Sequence, residues 1–284
     1  MTGSTADGSA HSANGLRHSG SGSGSGSGHA HAHGGADSAG LPWAGRTFAA
    51  HDTTFADDDG TADPSLIAAI EAVQQGRGSH AAVVEAMRTA RLLIPLVARA
   101  GEIGQTPDGR VVDKTQELSI VTVAGPDART VMPAFSSVTA MQSWDPSARP
   151  IPVDSRRVAM AAASEGTELV VLDPTAPTEF VLRRPAVWAL GQDQPWVPCY
   201  EDPRVAQAFA ASVDPESAVV RVELSAGDAG ARFAGPELVV GLVLVPGLGE
   251  QAVRDLVGRL QQRWSTDRFL VEHVDSMGVA LRAA

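Results

Sequence analysis

The stretch Arg129-Thr-Val-Met-Pro-Ala-Phe-Ser-Ser137 carries a strand, a core residue and a helix start in one short segment. The apolar run ends at Pro133, because a proline has no N–H to donate to a neighbouring strand. Phe135 is predicted to pack into the core. One of the two hydroxyl side chains, Ser136 or Ser137, is predicted to cap the helix that follows. This succession of strand and helix sets the pattern on either side of the stretch.

Two helices and a set of strands precede this stretch. Asp63 followed by Pro64 is typical of a helix start, with an acidic N-cap and a proline at the first helical position. A second helix is predicted from Ser79 to about Arg91. Pro95, in the apolar run that comes next, indicates an edge strand or a bulge. The strands of an antiparallel meander are predicted at 92–97, 118–123 and 129–135.

Helices and strands alternate after the stretch as well. The predicted elements are a helix at 138–143, a helix from 154 or 155 to 165, strands at 168–172 and 178–182, and a helix at 185–190. The segment 192–203 then contains Pro195, Pro198 and Pro203. A proline-rich segment of this kind indicates a domain boundary.

The remaining sequence predicts a smaller unit with the order α-β-β-α-β-β. Its predicted elements are a helix at 203–212, strands at 218–224 and 238–245, a helix at 249–264, and strands at 268–274 and 278–281. The fold class is therefore predicted to be α+β. It consists of a mixed, mainly antiparallel sheet with flanking helices, followed by the smaller α-β-β-α-β-β domain.

The first 62 residues differ in composition from the rest. They contain a Ser/Gly alternation at 19–28 and a cluster of aspartates at 57–59. Such a segment cannot bury enough apolar surface to offset its ordering entropy, so it is predicted to be disordered. Trp43, Phe48 and Phe55 interrupt it, and the segment 43–55 is expected to fold back onto the domain. The predicted division is a Gly/Ser/His-rich acidic arm at 1–62, a domain at 63–192, a Pro-rich linker at 193–202 and a domain at 203–284.

Composition and charge exclude several classes of function. The 22 Lys and Arg against 33 Asp and Glu give a formal net charge of −11 at pH 7, which makes nucleic acid an unlikely ligand. The start of the chain has no basic region followed by an apolar one, so a cytoplasmic location is expected. The strongly apolar run 238–248 is shorter than the roughly 18 residues of a membrane span. A single cysteine excludes an internal disulfide.

No motif identifies a reaction, and neither a cofactor nor a metal ion is expected. The tract His29-Ala-His-Ala-His33 has imidazoles but lies in the predicted disordered arm, which supplies no supporting shell. Cys199 is a possible nucleophile, yet Val205 stands where a phosphatase-like loop requires an arginine. The Gly247-Leu-Gly249 turn lacks the third glycine and the Lys-Ser/Thr pair of a phosphate-binding loop.

Six residues are candidates for ligand or partner binding. The paired hydroxyls Ser136 and Ser137 lie before a helix N-terminus, where a carboxylate or phosphate can bind, although a purely structural role also explains them. Two arginine pairs begin helices, where a cation has no favourable dipole role, and either pair can bind the acidic groups of a partner. These pairs are Arg156 with Arg157 and Arg183 with Arg184.

Three segments together resemble the SseB N-terminal domain family of bacterial proteins. They are Arg91-Leu-Leu-Ile-Pro-Leu-Val97, the stretch from Met132 to Ser137 with Trp144 after it, and Glu168-Leu-Val-Val-Leu-Asp-Pro174. The last segment departs from the family pattern, which usually ends that strand in Asn-Pro. The resemblance covers about 91–190 well, and the last 90 or so residues resemble the family's C-terminal domain more loosely.

The resemblance implies a cytoplasmic protein of the actinobacterial type without an established catalytic residue or cofactor. The family is linked to serine sensitivity when overproduced. Two hypotheses follow. The first is a non-catalytic binding or regulatory module for an unknown protein partner or a small anionic ligand, with no nucleic acid and no membrane involved. The second is an enzyme of unrecognised type that uses Ser136, Ser137 or Cys199. The oligomeric state does not follow from the sequence.

Overall fold

The structure is a computed structural model that describes residues 54–98, 103–105, 111–113, 118–125, 128–167 and 169–284. The predictions for Trp43, Phe48, the His29–His33 tract and the rest of 1–53 lie outside these ranges. The part of the chain from 53 to 284 forms one compact unit. No helix in the described ranges is both long and apolar enough to cross a bilayer.

The helices begin where the sequence supplies caps. Asp63 accepts hydrogen bonds from the N–H groups of Ser65 and Leu66, and Pro64 occupies the first helical position, as predicted. The described helices are α1 (Pro64–Gln74), α2 (His80–Thr89), α3 (Val138–Trp144), α4 (Ser155–Ser164), α5 (Arg184–Gly191), α6 (Pro203–Val213), α7 (Glu250–Thr266) and α8 (Arg268–His273).

The strands form several small sheets. They are β1 (Arg91–Ala98), β2 (Ile103–Gln105), β3 (Val111–Asp113), β4 (Leu118–Ile120), β5 (Val123–Ala124), β6 (Thr130–Ala134), β7 (Arg149–Asp154), β8 (Val170–Leu172), β9 (Phe180–Leu182), β10 (Val219–Ala226), β11 (Leu238–Leu244) and β12 (Met277–Ala283). The strand orders are β4-β1-β7, β2-β3, β5-β6-β8-β9 and β10-β11-β12. Most of the pairs are antiparallel, so the α+β class is confirmed.

Both antiparallel pairings of the predicted meander occur, but the strand predicted at 118–123 is divided between two sheets. β1 pairs with β4 and β7, while β6 pairs antiparallel with β5 and parallel with β8. Only an isolated bridge between Leu93 and Phe135 connects β1 to β6. The division falls at 121–122, between the end of β4 and the start of β5, and β6 is buried along most of its length. β1 therefore lies between β4 and β7, and β6 lies between β5 and β8.

Pro95 lies in a central strand with no register shift, whereas the sequence predicted an edge strand or a bulge. Leu93 exchanges both backbone hydrogen bonds with Phe135, on the side away from β7. Pro95 lies opposite Pro150 of β7. Because successive residues of a strand alternate in direction, the Pro95 nitrogen points away from β7, as the backbone groups of Leu93 do. β4 pairs only from Leu96 onward, so the missing N–H of Pro95 removes no ladder hydrogen bond.

The C-terminal sheet departs from the prediction at one element. Residues 268–274 were predicted as a strand, but α8 lies there, so the order is α-β-β-α-α-β. Asp267 caps this helix by accepting from the N–H of Leu270. Leu270 and Val274 are four residues apart and both buried, which is the spacing of a helix face. As a result β12 follows α8 and pairs parallel with β11, whereas β10 pairs antiparallel with β11.

The two largest hydrophobic cores are formed mainly by residues before and after the proline-rich segment, respectively. One loop from the second part of the chain also contacts the first core. Leu66, Phe180 and Leu182 belong to the first core, and Phe209 and Trp264 belong to the second. The loop between β10 and β11 reaches back to the first core. Its Ala231 is buried there, and the Ala231 carbonyl accepts from the N–H of Val181 at 2.7 Å.

Residues 54–62, assigned to the arm by the sequence, contact the folded part. Arg91 on β1 binds the Asp58 carboxylate at 2.5 Å. The Gly60 carbonyl accepts from the N–H of Val138, the first residue of α3, at 2.9 Å. Gly60 has φ of 78°, and a Cβ at this position would lie 2.6 Å from a Val138 methyl. The position therefore requires glycine on both conformational and steric grounds.

Candidate functional site

Ser136 lies in a buried hydrogen-bond cluster around Asp173. The Asp173 carboxylate accepts from the Ser136 N–H at 2.7 Å, from the Ser136 hydroxyl at 2.6 Å and from the Thr178 hydroxyl at 2.7 Å. We refer to Ser136, Asp173 and Thr178 as the Asp173 loop. Asp173 is 0% exposed and Ser136 is also buried. Because both side chains are buried, a substrate cannot reach this Ser-Asp pair in the structure. The hydrogen bonds instead join the end of β6 to the end of β8.

Ser137 caps α3. Its hydroxyl accepts from the N–H of Ala140 at 3.1 Å. The sequence predicted either Ser136 or Ser137 as this cap. The Val138 N–H at this helix end is bound by Gly60, and the Ser136 carbonyl accepts from Arg91 at 2.8 Å. The N–H groups of Val138 and Ala140, two donors that an anion at this N-terminus would use, are therefore already engaged.

The two arginine pairs lie in different surroundings. Arg156 donates through its backbone N–H to the Asp154 cap and through Nε to the Gly191 carbonyl at 3.0 Å. Arg157 is exposed. At the other end of α5, Arg184 donates to the Val274 carbonyl at 2.9 Å. The six predicted binding residues therefore do not form a single site.

Arg183 is the centre of a buried charge cluster that the sequence did not predict. It is 7% exposed and donates to Asp228 at 2.9 Å and to the Gly235 carbonyl at 2.7 Å. The Asp275 carboxylate lies 3.4 Å from the same guanidinium. We refer to Arg183, Asp228, Glu237 and Asp275 as the seam, because it joins the start of α5 to the loops around β11 and β12.

A second arginine and an aromatic ring complete the outer side of the seam. Arg129 binds Asp275 through both carboxylate oxygens, at 2.9 and 3.1 Å. The Phe233 ring lies 5.4 Å from the Arg183 guanidinium and 5.8 Å from that of Arg129, within the range of cation–π attraction. The two arginines are thus neutralised by aspartates and stacked on one ring.

Glu237 and Cys199 occupy the inner side of the seam. The Glu237 carboxylate accepts from the Asp275 N–H at 2.6 Å. Burial raises the pKa of Glu237 to about 7, and the charge of Asp275 adds to this shift. Burial, together with the adjacent Glu237 carboxylate, also raises the pKa of the Cys199 thiol. Cys199 is therefore a buried thiol and lacks the thiolate character of a nucleophile.

His80 and Tyr200 connect α2 to the proline-rich segment. The Tyr200 hydroxyl lies 3.0 Å from Nδ1 of His80, and Nε2 of His80 lies 2.9 Å from the Ala229 carbonyl. The carbonyl can only accept, so Nε2 carries a proton in this contact. Burial raises the pKa of Tyr200. This hydroxyl is fixed by its partner and is not a free acid or base.

An open cleft of about 300 Å³ lies along α5, the proline-rich segment and α8. Trp188 is 43% exposed and Val197 is 51% exposed, while Trp196 is half-buried beside them. Polar groups at its edge include Arg204, which is bound to Asp202 at 2.7 Å. We refer to this feature as the Trp188 cleft. It combines exposed apolar surface with a polar rim.

Sequence reasoning identified Arg183 but not its partners. Asp228, Glu237 and Asp275 are between 45 and 92 residues away in the chain, so no local spacing connects them to Arg183. The sequence gives one weak indication of the Trp188 cleft, which is that Trp196 lies between Pro195 and Pro198 in the proline-rich segment. In the described ranges, no group of three or more His, Cys, Asp or Glu side chains is arranged to hold a metal ion.

Comparison with known protein families gives a match to one part of the chain. Residues 66–189 match the family model described as the SseB protein N-terminal domain. The chain therefore contains an SseB N-terminal domain over these residues, as its sequence motifs suggested. No curated protein and no solved structure matches the chain.

Proposed function

We propose that this SseB family protein is a non-catalytic binding module and that its Trp188 cleft receives a protein partner. The observation that carries the proposal is the joint exposure of Trp188 and Val197 in one open cleft. Exposed tryptophan is favoured at the centre of protein interfaces because it buries a large area with few rotatable bonds. An apolar side chain of the partner would occupy the space between these residues.

The state of the candidate nucleophiles favours binding over catalysis. Ser136 is buried, the Ser137 hydroxyl is engaged as a helix cap, and the Cys199 thiol is buried beside a carboxylate. An enzyme that uses one of these side chains as its nucleophile requires a neighbouring base and access for the substrate. Among the described residues, no such arrangement supports the alternative hypothesis, which is an enzyme that uses one of these three residues.

The charges favour a protein partner over a small anion. Arg183 is matched by Asp228 and Asp275, and Arg204 at the cleft is matched by Asp202. An anion at either place would have to compete with a carboxylate that is already bound. An apolar anchor surrounded by polar groups is instead typical of a protein interface.

Site-specific photo-crosslinking in the native cell tests the proposal. A photoreactive amino acid at Trp188 is expected to trap one partner, while the same group at Val220, which is 51% exposed on β10, should not trap it. The purified partner should then bind the Trp188→Ala variant about tenfold or more weakly, since interface tryptophans often contribute 2 kcal/mol or more. The Val220→Ala variant should bind normally.

Two outcomes would overturn this assignment. Equal trapping at both positions would indicate non-specific contact, and unchanged affinity of the Trp188→Ala variant would remove the cleft from the interface. Turnover of a metabolite that is lost in the Ser137→Ala or Cys199→Ala variant would favour the enzyme hypothesis instead.

A further inference from the structure

The last strand, β12, has one strand neighbour in the described part of the chain. It pairs with β11 in parallel from Leu238 opposite Met277 to Leu244 opposite Ala283. The Ser276 carbonyl accepts from the Leu238 N–H at 3.0 Å, and the Ala284 N–H donates to the Leu244 carbonyl at 2.9 Å. These bonds at the two ends of the pair fix which backbone groups of β12 face β11.

The other backbone groups of β12 face away from the sheet. In a parallel pair, a residue directs both its N–H and its C=O to the same neighbour, and the next residue directs both to the opposite side. Since Ser276 and Ala284 face β11, the even-numbered residues between them do so as well. The outward-facing residues, for which no described backbone partner exists, are Met277, Val279, Leu281 and Ala283.

The two edges of this sheet differ in protection. β10 has a register shift between Val219 and Arg221, and an Arg221–Glu223 ion pair lies along it. Bulges and charges are the devices that keep edge strands from pairing with other chains. β12 runs without a register shift against β11. Its one charged side chain, Arg282, is bound to Glu223 at 3.0 Å within the same sheet.

We propose that β12 pairs antiparallel with β12 of a second copy of this chain, centred on Ala280, so that two sheets join into one. In this register Val279 lies opposite Leu281 of the second copy, and Met277 lies opposite Ala283. All four are outward-facing residues, so each of these pairs is a hydrogen-bonded one. The centre on Ala280 is the register that uses every outward-facing residue of the strand.

The side chains favour a second copy as the occupant. Leu281 is 48% exposed and would be covered by Val279 of the other copy. On the other face, Ala280 meets itself and Arg282 meets Gly278, so no like charges lie opposite each other. A two-fold symmetric pairing needs a strand that is complementary to itself, and β12 meets this condition.

Paired variants at Leu281 test the pairing through its backbone hydrogen bonds. When its mass is measured by sedimentation over a series of protein concentrations, the wild-type chain should have twice the monomer mass. Leu281→Pro removes an outward N–H that no described group uses, so this variant should be a folded monomer by circular dichroism. Leu281→Thr keeps the N–H and should remain a dimer, with weaker association because the apolar contact is lost. A monomeric wild type, or a Leu281→Pro variant that stays dimeric, would overturn the proposal.

A cysteine at the symmetry axis tests the register. In a non-hydrogen-bonded antiparallel pair the Cα atoms are about 4.5 Å apart, which a disulfide can span. Ala280→Cys should therefore oxidise to a covalent dimer, and Ala283→Cys, opposite Met277, should not. The native Cys199 is buried and should add no background. Equal crosslinking of both variants, or none at position 280, would exclude this register.

Discussion

The Asp173 loop and the seam both contain buried carboxylates, and they stabilise them in different ways. Asp173 receives three hydrogen bonds from neutral donors that belong to the same half of the chain. In the seam, Arg183 forms ion pairs with Asp228 and Asp275, which are 45 and 92 residues away in the sequence. Glu237 shares that space with Asp275, and its pKa is raised as a result of burial and this like charge.

The difference shows that burial alone does not decide what a carboxylate does. Neutral donors aimed at both oxygens can hold an anion in place of water, so the Asp173 loop is a fixed structural cluster. The seam has one well-buried cation for three carboxylates, and its second arginine, Arg129, is part-exposed. One of the three acids, Glu237, therefore titrates near neutral pH.

The largest expected effect comes from removing the seam cation. Arg183→Leu leaves Asp228 and Asp275 buried without their shared partner, and breaking a buried pair in this way costs about 3–5 kcal/mol. Urea unfolding at neutral pH measures this loss. The matched control is Arg254→Leu, whose exposed ion pair with Glu250 should contribute about 0.5 kcal/mol or less. Equal losses in the two variants would contradict the role of the seam.

A somewhat smaller loss is expected in the Asp173 loop. Asp173→Ala removes the acceptor of two hydroxyls and one buried N–H, and unsatisfied buried donors cost about 1–3 kcal/mol. Asp173→Asn keeps one acceptor oxygen for the Ser136 N–H and should lose less. Thermal and urea unfolding compare the two variants. If the asparagine variant is as unstable as the alanine variant, the charge and not the hydrogen-bond geometry stabilises the loop.

The pH dependence of stability should separate the two regions. The folded-state pKa of Glu237 is raised from 4.5 to about 7, so the folded protein binds this proton more tightly than the unfolded chain. Ionisation of Glu237 therefore lowers the free energy of unfolding as the pH rises from about 5 to about 7. Glu237→Gln should remove this loss and be more stable than wild type at pH 8 by about 2 kcal/mol. At pH 5 the two should be similar, and parallel curves over the whole range would refute the assignment.

The smallest expected effects come from removing single hydroxyl groups, one in the Asp173 loop and one at the contact with His80. Thr178→Val removes one donor to Asp173, and Tyr200→Phe removes the hydroxyl that contacts His80. Each should cost about 1 kcal/mol, the usual contribution of one hydrogen bond. A much larger loss for Tyr200→Phe, measured by urea unfolding, would show that the contact between α2 and the proline-rich segment does more than one hydrogen bond accounts for.

The sequence predicted helices well where caps were visible. Asp63, Ser137 and Asp202 all accept from the first turn of the helix that each precedes. These are local signals, since the cap and the N–H that it binds are a few residues apart. The α+β class follows from the same local patterns. The division into domains at 63–192 and 203–284 stays a prediction.

Contacts between distant residues could not be predicted in the same way. The predicted meander gave the pairing of β1 with β4 and of β5 with β6, but it missed β7 beside β1 and β8 beside β6. For α8, the apolar residues between 268 and 274 fit a strand as well as a helix, and the Asp267 cap decides between them. The seam partners of Arg183 lie even further away in the chain, so only the fold brings them together.

The placement of the tryptophans gives the protein separate optical probes. Trp264 is buried in the second core and donates its indole N–H to the Ser212 hydroxyl at 2.8 Å, so its fluorescence should be blue-shifted and shielded from acrylamide. Trp188 is exposed in the cleft and should emit at longer wavelength and be quenched readily. In a variant with phenylalanine in place of Trp43, Trp144 and Trp196, selective quenching can therefore distinguish an event at the cleft surface from the opening of the C-terminal core, without any added label.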